Sequence, residues 1–367
     1  MGQIMSKYYF SAFLFLSAAQ LQAATVSSIE FLDGQETDKY YNVQVTGSGF
    51  GEGPKVVAFD DFDNQTAADV ELNKALIGQW TGGSSFSTRP KVVDFDDGKA
   101  IAVNTPGTYS AKISQIEYVF PESVDTIFFS YSVTVPEGRH FAGATQDGVF
   151  PQSSSWKFTW LLDGPNQTEG NIKYNVCIPS HVGRGNFMLV GNSISYGYYN
   201  MAPSWSWHTK NYMSFGVIPH ETAPKDENGQ LIFQMTGKKG KALLINKTDT
   251  PIFVDKNPNT SFDRVQFPGW FGNGDFTNFQ AYYDDIYIAT GRNAFARVEL
   301  SDGLNLQDST INLTMPITSW TDTKIVFRLS KSTYRKADQF YLRIYDKTNK
   351  SSSYNFLCGK CPKPPKV

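Results

Sequence analysis

The sequence predicts an all-β protein built from sandwiches, on three observations. Short runs alternate apolar and polar residues with a period near two, as in residues 127–135 (IFFSYSVTV), 156–162 (WKFTWLL) and 285–288 (DIYI). Turn signals recur between such runs, among them Asp163-Gly164-Pro165 and Gly272-Asn273-Gly274. The composition, with 30 Gly, 18 Pro, 19 Tyr and 28 Phe, favours strands and turns over helices. At 40% hydrophobic and 15% aromatic residues the chain can build real cores and is not disordered. Its 367 residues suggest two domains, at roughly 150 residues each. The balance of 33 Lys+Arg against 35 Asp+Glu, a net charge of -2, argues against nucleic acid as a partner.

Residues 1–23 read as a secretory signal. Lys7 is the positive n-region, Tyr8 to Ala19 is the apolar stretch, and Ala23 is the small residue at the expected cleavage point. The apolar run falls short of the roughly 20 residues that cross a bilayer, so no membrane span is expected. The mature chain is expected outside the cytoplasm, extracellular or periplasmic, where disulfides form. Its three cysteines allow at most one bridge within the chain. Cys358 and Cys361 sit in a Pro- and Lys-rich tail, residues 358–367, without a helix to depress a thiol pKa. A local staple between them, or a pairing with Cys177, is therefore favoured over redox chemistry.

Further along, one short helix is expected over Ala67 to Ile77. Asn228-Gly229, between Lys225 and Leu231, predicts a tight hairpin. Alternation returns in residues 325–329 (IVFRL) and 341–345 (YLRIY). Lys238-Lys239-Gly240-Lys241 reads as a solvated positive turn.

Two resemblances organise these pieces. Residues 41–51 (YNVQVTGSGFG) resemble the opening strands of an IPT/TIG domain, an immunoglobulin-like sandwich. The later W-S-D-T strand entry of that family is matched by Ser319-Trp320-Thr321-Asp322-Thr323, with residues 339–345 and 354–356 as the closing strands. The resemblance implies one small immunoglobulin-like sandwich split into residues 24–54 and 292–357. The alternative is two separate partial β-domains. The intervening residues 55–291 resemble a concanavalin A-like lectin/glucanase jelly roll, opening on Phe59-Asp60-Asp61-Phe62-Asp63 and closing on Tyr283-Asp284-Asp285-Ile286-Tyr287-Ile288. That resemblance implies a large sandwich whose first and last strands are neighbours. It also implies a structural Ca²⁺ where Asp60, Asp61 and Asp285 would meet, because Ca²⁺ takes six to eight oxygens, carboxylates among them. The scattered His140, His181, His208 and His220 make Zn²⁺ improbable.

The chemistry expected of the site follows from what is present and what is missing. Glycoside hydrolysis needs two flanking carboxylates, and the ExDxxE spacing of the fold's glucanases does not occur. A polysaccharide lyase needs a Tyr or His base and an Arg, Gln or Asn to neutralise the uronate carboxylate. His181, Arg184, His208 and Tyr212 are candidates for such roles, although the RxELR, QIH and YFKxGxYNQ motifs of alginate lyases are absent. The stronger signal is aromatic. Tyr196, Tyr198, Tyr199, Trp205 and Trp207 fall among Ser, Asn and Gly, and Trp270 lies in a second aromatic loop. Sugar rings stack on such side chains while polar neighbours bond the hydroxyls. The sequence thus predicts a secreted protein that binds an extracellular polysaccharide on the concave face of the jelly roll. An acidic-glycan lyase and an adhesive surface protein, with a cell-surface or protein partner through the TIG-like part, are the alternatives.

Overall fold

The computed structural model describes residues 24–32, 34, 37–82, 87–96, 98–106, 113–135, 155–162, 172–178, 188–191, 205–206, 208–218, 229–238, 242–250, 261–272 and 277–357. They are nearly all strand. An eight-stranded sheet runs in the order β15 (Leu243–Thr250), β14 (Gly229–Gly237), β13 (Asn211–Ile218), β9 (Ile127–Thr134), β18 (Thr277–Thr290), β6 (Gly98–Pro106) and β5 (Lys91–Phe95), with β3 (Lys55–Asp60) also paired to β18. A six-stranded sheet runs β12 (Met188–Gly191), β11 (Ile172–Ile178), β10 (Ser155–Leu162), β16 (Phe262–Phe267) and β8 (Ile116–Val124), with β17 (Trp270–Gly272) on β10. A parallel pair, β4 (Ser87–Thr88) and β7 (Ile113–Ser114), stands apart.

The two large sheets share one core, which makes them a sandwich. Alternation sets which residues enter it: Phe129, Tyr131 and Val133 from β9, Met213, Phe215 and Val217 from β13, and Val265 and Phe267 from β16. Each fully buried side chain of this size stabilises the fold by about 1.5–3 kcal/mol. Phe267 meets Tyr131 edge-on at 5.3 Å between ring centroids, tying one sheet to the other.

The ends of the chain form a second, smaller sandwich. One of its sheets runs β1 (Thr25–Phe31), β2 (Tyr40–Ser48), β22 (Lys324–Ser330) and β21 (Ile317–Trp320). The other runs β20 (Asn312–Thr314), β19 (Arg297–Ser301), β23 (Phe340–Tyr345) and β24 (Ser351–Leu357). Strands separated by more than 270 residues thus pair directly, Val43 opposite Phe327 and Val45 opposite Ile325. The turn at Gly49 and Gly51, with φ of +74° and +67°, lets the Phe50 and Gly51 carbonyls accept the Trp320 indole N–H at 3.3 and 3.2 Å. The Gly51 N–H donates to Asp322 Oδ1 at 2.9 Å. Lys55 pairs with Thr290, so the chain leaves the smaller sandwich and returns to it at one place.

The smaller sandwich covers the face of the eight-stranded sheet turned away from the shared core. Phe59, Phe128, Ile232, Tyr287, Ala289 and Phe295 pack together in that layer. Strand β9 is consequently buried at every position.

Two local expectations are corrected. Residues 67–77 form turns rather than a helix, because their backbone groups find tertiary partners. The Val70 N–H donates to the Pro90 carbonyl at 3.0 Å and the Ile77 N–H to the Phe59 carbonyl at 3.0 Å. Gly229 opens β14 opposite Thr250, and Ile218 faces Gln230, so Asn228-Gly229 is not a two-residue turn between β13 and β14; Asn228 lies outside the described residues. The only α-helix among the described residues is α1 (Lys331–Tyr334).

Candidate functional site

The face of the six-stranded sheet turned away from the shared core carries a polar row that sequence reasoning did not single out, and its Gln115, Glu117, Arg264 and Gln266 are buried. In β8, Ile116, Tyr118 and Phe120 pack on the core, which turns Glu117 and Val119, and Gln115 just before the strand, to the other face. In β16, Val265 and Phe267 point in, so Arg264 and Gln266 point out. The register then aligns Glu117, Gln266 and Trp160 across three neighbouring strands. Gln266 Nε2 donates to Glu117 Oε2 at 2.8 Å, and Arg264 Nη1 stands 3.8 Å from the same oxygen. Gln115 Nε2 donates to the Pro268 and Gly269 carbonyls at 2.8 and 2.9 Å and to Gln266 Oε1 at 3.3 Å. Gln115 Oε1 is buried and accepts no hydrogen bond from the described protein groups. A buried acceptor left so costs about 1–3 kcal/mol, which a ligand hydroxyl or a water would offset. Trp160 is half-buried beside this row, and a Cβ added at Gly269 would lie 2.6 Å from its Cδ1, so only glycine lets that backbone approach the indole.

The row holds an indole, two amides, one carboxylate and one guanidinium. It has one carboxylate where a glycosidase needs two. Arg264 and Gln266 are of the type that neutralises a uronate, but no His or Tyr shares the face among the described residues. In sequence, the alternation in Gln115-Ile116-Glu117 and in residues 262–267 (FDRVQF) marks these polar positions; nothing in either pattern says that they end up buried.

The residues named from sequence fall elsewhere. Trp205 is 1% exposed and packs in the core against Phe158, with ring centroids 5.1 Å apart. A ring with no free face cannot stack on a sugar, so Trp205 is a core residue. Tyr212 lies on β13 in the face toward the smaller sandwich, where it joins that sandwich's apolar cluster, and burial raises its pKa. It is therefore turned away from the outer face of the six-stranded sheet. His208 is exposed in the turn before β13, at a φ of +62°. His181, Arg184, Tyr196, Tyr198, Tyr199, Trp207, Cys358 and Cys361 lie outside the described residues, as does the side chain of Trp270.

The carboxylates expected to hold Ca²⁺ lie at the joint between the two sandwiches. Asp60 accepts the Trp80 indole N–H at 2.9 Å, Gln65 Nε2 at 2.6 Å and the Phe62 N–H at 2.8 Å. Burial pushes its pKa up to about 7, although these donors favour the charged form. Both oxygens of Asp61 accept the Tyr40 hydroxyl, at 2.7 and 2.8 Å, and burial holds Asp61 well above the usual carboxylate range. Asp285 Oδ2 accepts Ser132 Oγ at 3.0 Å and lies 3.5 Å from Lys210 Nζ, which also donates to Asp284 Oδ2. Burial, with Asp285 alongside, pushes Asp284 up to about 7. Asp60, Asp61 and Asp285 are thus each taken up by a different protein donor. Among the described residues no three His, Cys, Asp or Glu side chains are placed to hold one metal ion. As arranged, this donor set does not fit Ca²⁺.

No protein-family model and no curated protein matches the sequence. Among solved structures the chain is similar to alginate lyase Aly36B, at 11% identity and a TM-score of 0.44, over 65% of this chain and 97% of that one. It is also similar to the PL-14 alginate lyase from Aplysia kurodai, at 12% identity and 0.39, over 55% and 87%. A third is domain 4 of AbnA, a GH43 extracellular arabinanase from Geobacillus stearothermophilus, at 18% and 0.37, over 65% and 94%. The sandwich assignment rests on the strand pairing, and the chemistry rests on the residues.

Proposed function

We propose that the protein is an exported polysaccharide-binding protein whose large sandwich engages glycan on the outer face of its six-stranded sheet. The observation that carries this reading is the Trp160–Gln266–Glu117 row, with Arg264 and Gln115 bonded into it or beside it. The half-buried Trp160 indole supplies an apolar face for a sugar ring, and the buried amides, carboxylate and guanidinium brace the strands that carry it. A single carboxylate, without a described base on the face, favours binding over bond cleavage. The signal-like residues 1–23 support export. Among the described residues no helix is long and apolar enough to cross a membrane.

Retention on a panel of immobilised polysaccharides tests the reading. Wild type should be retarded by at least one, and Trp160→Ala should lose that retardation with an unchanged melting temperature. Retention that survives Trp160→Ala, or none across neutral and acidic glycans, refutes it. The rival lyase reading draws on Arg264 and Gln266 as neutralising groups. It predicts ultraviolet-absorbing unsaturated uronate products from acidic glycans, lost in Arg264→Ala.

A further inference from the structure

The joint between the sandwiches gathers carboxylates from both ends of the large one. Asp61 and Asp63 follow β3, and Asp284 and Asp285 belong to β18, whose pairing with β9 is bulged between Asp284 and Tyr287. Asp285 holds a φ of +54° there. Together with Lys210 they enclose a space of about 10 Å³, closed from the smaller sandwich by Ser332, Thr333 and Lys336. Such a space holds about one water-sized group. Four carboxylates so placed repel one another, and Asp61 feels Asp63 and Asp284 while Asp63 feels Asp285.

The opposing charge bonded to the cluster is the ammonium of Lys210, while Lys39 acts on Asp63 and Lys336 on Asp284 from further off. The Lys210 side chain is 10% exposed, it donates to Asp284 Oδ2, and it stands 3.5 Å from Asp285 Oδ2. Lys336 leans instead toward Asp96, at 3.6 Å. Lys39 reaches only the backbone carbonyl of Asp63. The remaining carboxylate oxygens are engaged in ways a coordination sphere would have to undo: Asp61 by Tyr40, Asp63 Oδ1 by the Lys99 N–H at 2.9 Å, and Asp284 Oδ1 by the Asp285 N–H at 2.7 Å.

We infer that Lys210 is a built-in cation: its ammonium occupies the place at which a divalent metal is expected from the acidic ends of β3 and β18, and it ties β18 to the turn before β13 without one. A compact ammonium with three donors can serve two carboxylates at once. A divalent ion would need more free oxygens than these four residues offer while the lysine is present. Removing the ammonium should therefore expose a latent divalent-cation site.

The test compares melting of wild type and Lys210→Met in chelator, in millimolar calcium chloride, and in sodium chloride of matched ionic strength. Wild type should melt at one temperature in chelator and in calcium, and calorimetric titration with calcium should show no stoichiometric uptake. Lys210→Met should melt several degrees lower in chelator and recover in calcium but not in the matched sodium salt. Lys210→Met/Asp284→Asn, which removes both charges, should regain stability without calcium; it decides the matter if the single variant fails to fold. Wild type that loses stability in chelator or takes up one calcium overturns the inference. So does a Lys210→Met variant indifferent to calcium, or a double variant no more stable than the single one.

Discussion

Replacing Arg297 should uncouple the two sandwiches, and the size of the effect can be worked from its surroundings. Arg297 and Glu299 are both fully buried, with Nε and Oε1 2.5 Å apart. The guanidinium lies 4.5 Å from the ring centre of Phe128, in the large sandwich, and 3.6 Å from that of Tyr345, in the small one. Its Nη1 donates to the Phe295 carbonyl and to Asn349 Oδ1, both at 2.8 Å. Arg297→Met keeps the apolar stem and removes the charge. Glu299 would then retain Asn312 Nδ2, at 3.0 Å, and the Tyr345 hydroxyl as side-chain donors. Breaking a buried pair in this way costs about 3–5 kcal/mol, and the lost cation–π contacts add about 2 kcal/mol. That is a third or more of the roughly 5–15 kcal/mol that holds a typical domain together. Arg297→Met/Glu299→Leu removes both charges and should recover most of the loss, because apolar replacements of buried pairs are often neutral or better. Urea unfolding measures both variants through the midpoint at constant slope. A single variant within about 1 kcal/mol of wild type, below the range for a broken buried pair, refutes the argument. So does a double variant no better than the single one.

Two further outcomes are expected. Asp60 has a folded-state pKa raised to about 7 by burial, against about 4 when unfolded. The folded chain then binds more protons between those values, so unfolding free energy falls as pH rises through that window, by up to about 1.4 kcal/mol per pH unit for this group. Melting temperature should be higher near the acid end than above pH ~7, and Asp60→Asn should flatten the slope; a melting temperature that rises across the window contradicts this. Trp205→Ala should cost about 3–5 kcal/mol by leaving a core cavity, while the folded fraction keeps its glycan retention. A stable Trp205→Ala variant that loses retention would return Trp205 to the binding face.

Much of the fold was legible because strand alternation is local. The runs at 127–135, 156–162 and 325–329 coincide with β9, β10 and β22, and the acidic segments at 59–63 and 283–288 come together where β3 pairs with β18. The site was less legible, because burial is set by distant partners. The period-two spacing of Trp205 and Trp207 cannot distinguish a core face from an exposed one, and Trp205 meets Phe158 in the core. The sequence offers Tyr212 as a candidate base, but the smaller sandwich covers its face of β13. Residues 67–77 have helical composition, yet β5 and β3 supply backbone partners to this segment. Nothing local in the sequence marks Lys210, and only the pairing of β18 with β9 and β3 brings its partners around it.

The nesting of one sandwich in the other also decides which surface can meet a ligand. A two-sheet sandwich has two outer faces, and alternation alone gives both a similar claim. Here the outer face of the eight-stranded sheet bears Phe128, Ile232, Tyr287 and Ala289, sealed by Phe295 just before β19. Arg297, two residues further on, anchors that seal between Phe128 and Tyr345. Its polar positions, such as Ser132 and Asp284, are spent on the joint. The six-stranded sheet keeps Glu117, Arg264 and Gln266 on the face away from the core, buried and bonded to one another instead of to the smaller sandwich. Because the chain leaves and re-enters at Lys55 and Thr290, which are paired, and because Arg292 and Asn293 both bond Glu52 beside that point, the smaller sandwich is held to one side. The same contacts that fix the joint therefore leave the proposed glycan contact to the half-buried Trp160, on the sheet that the smaller sandwich does not cover.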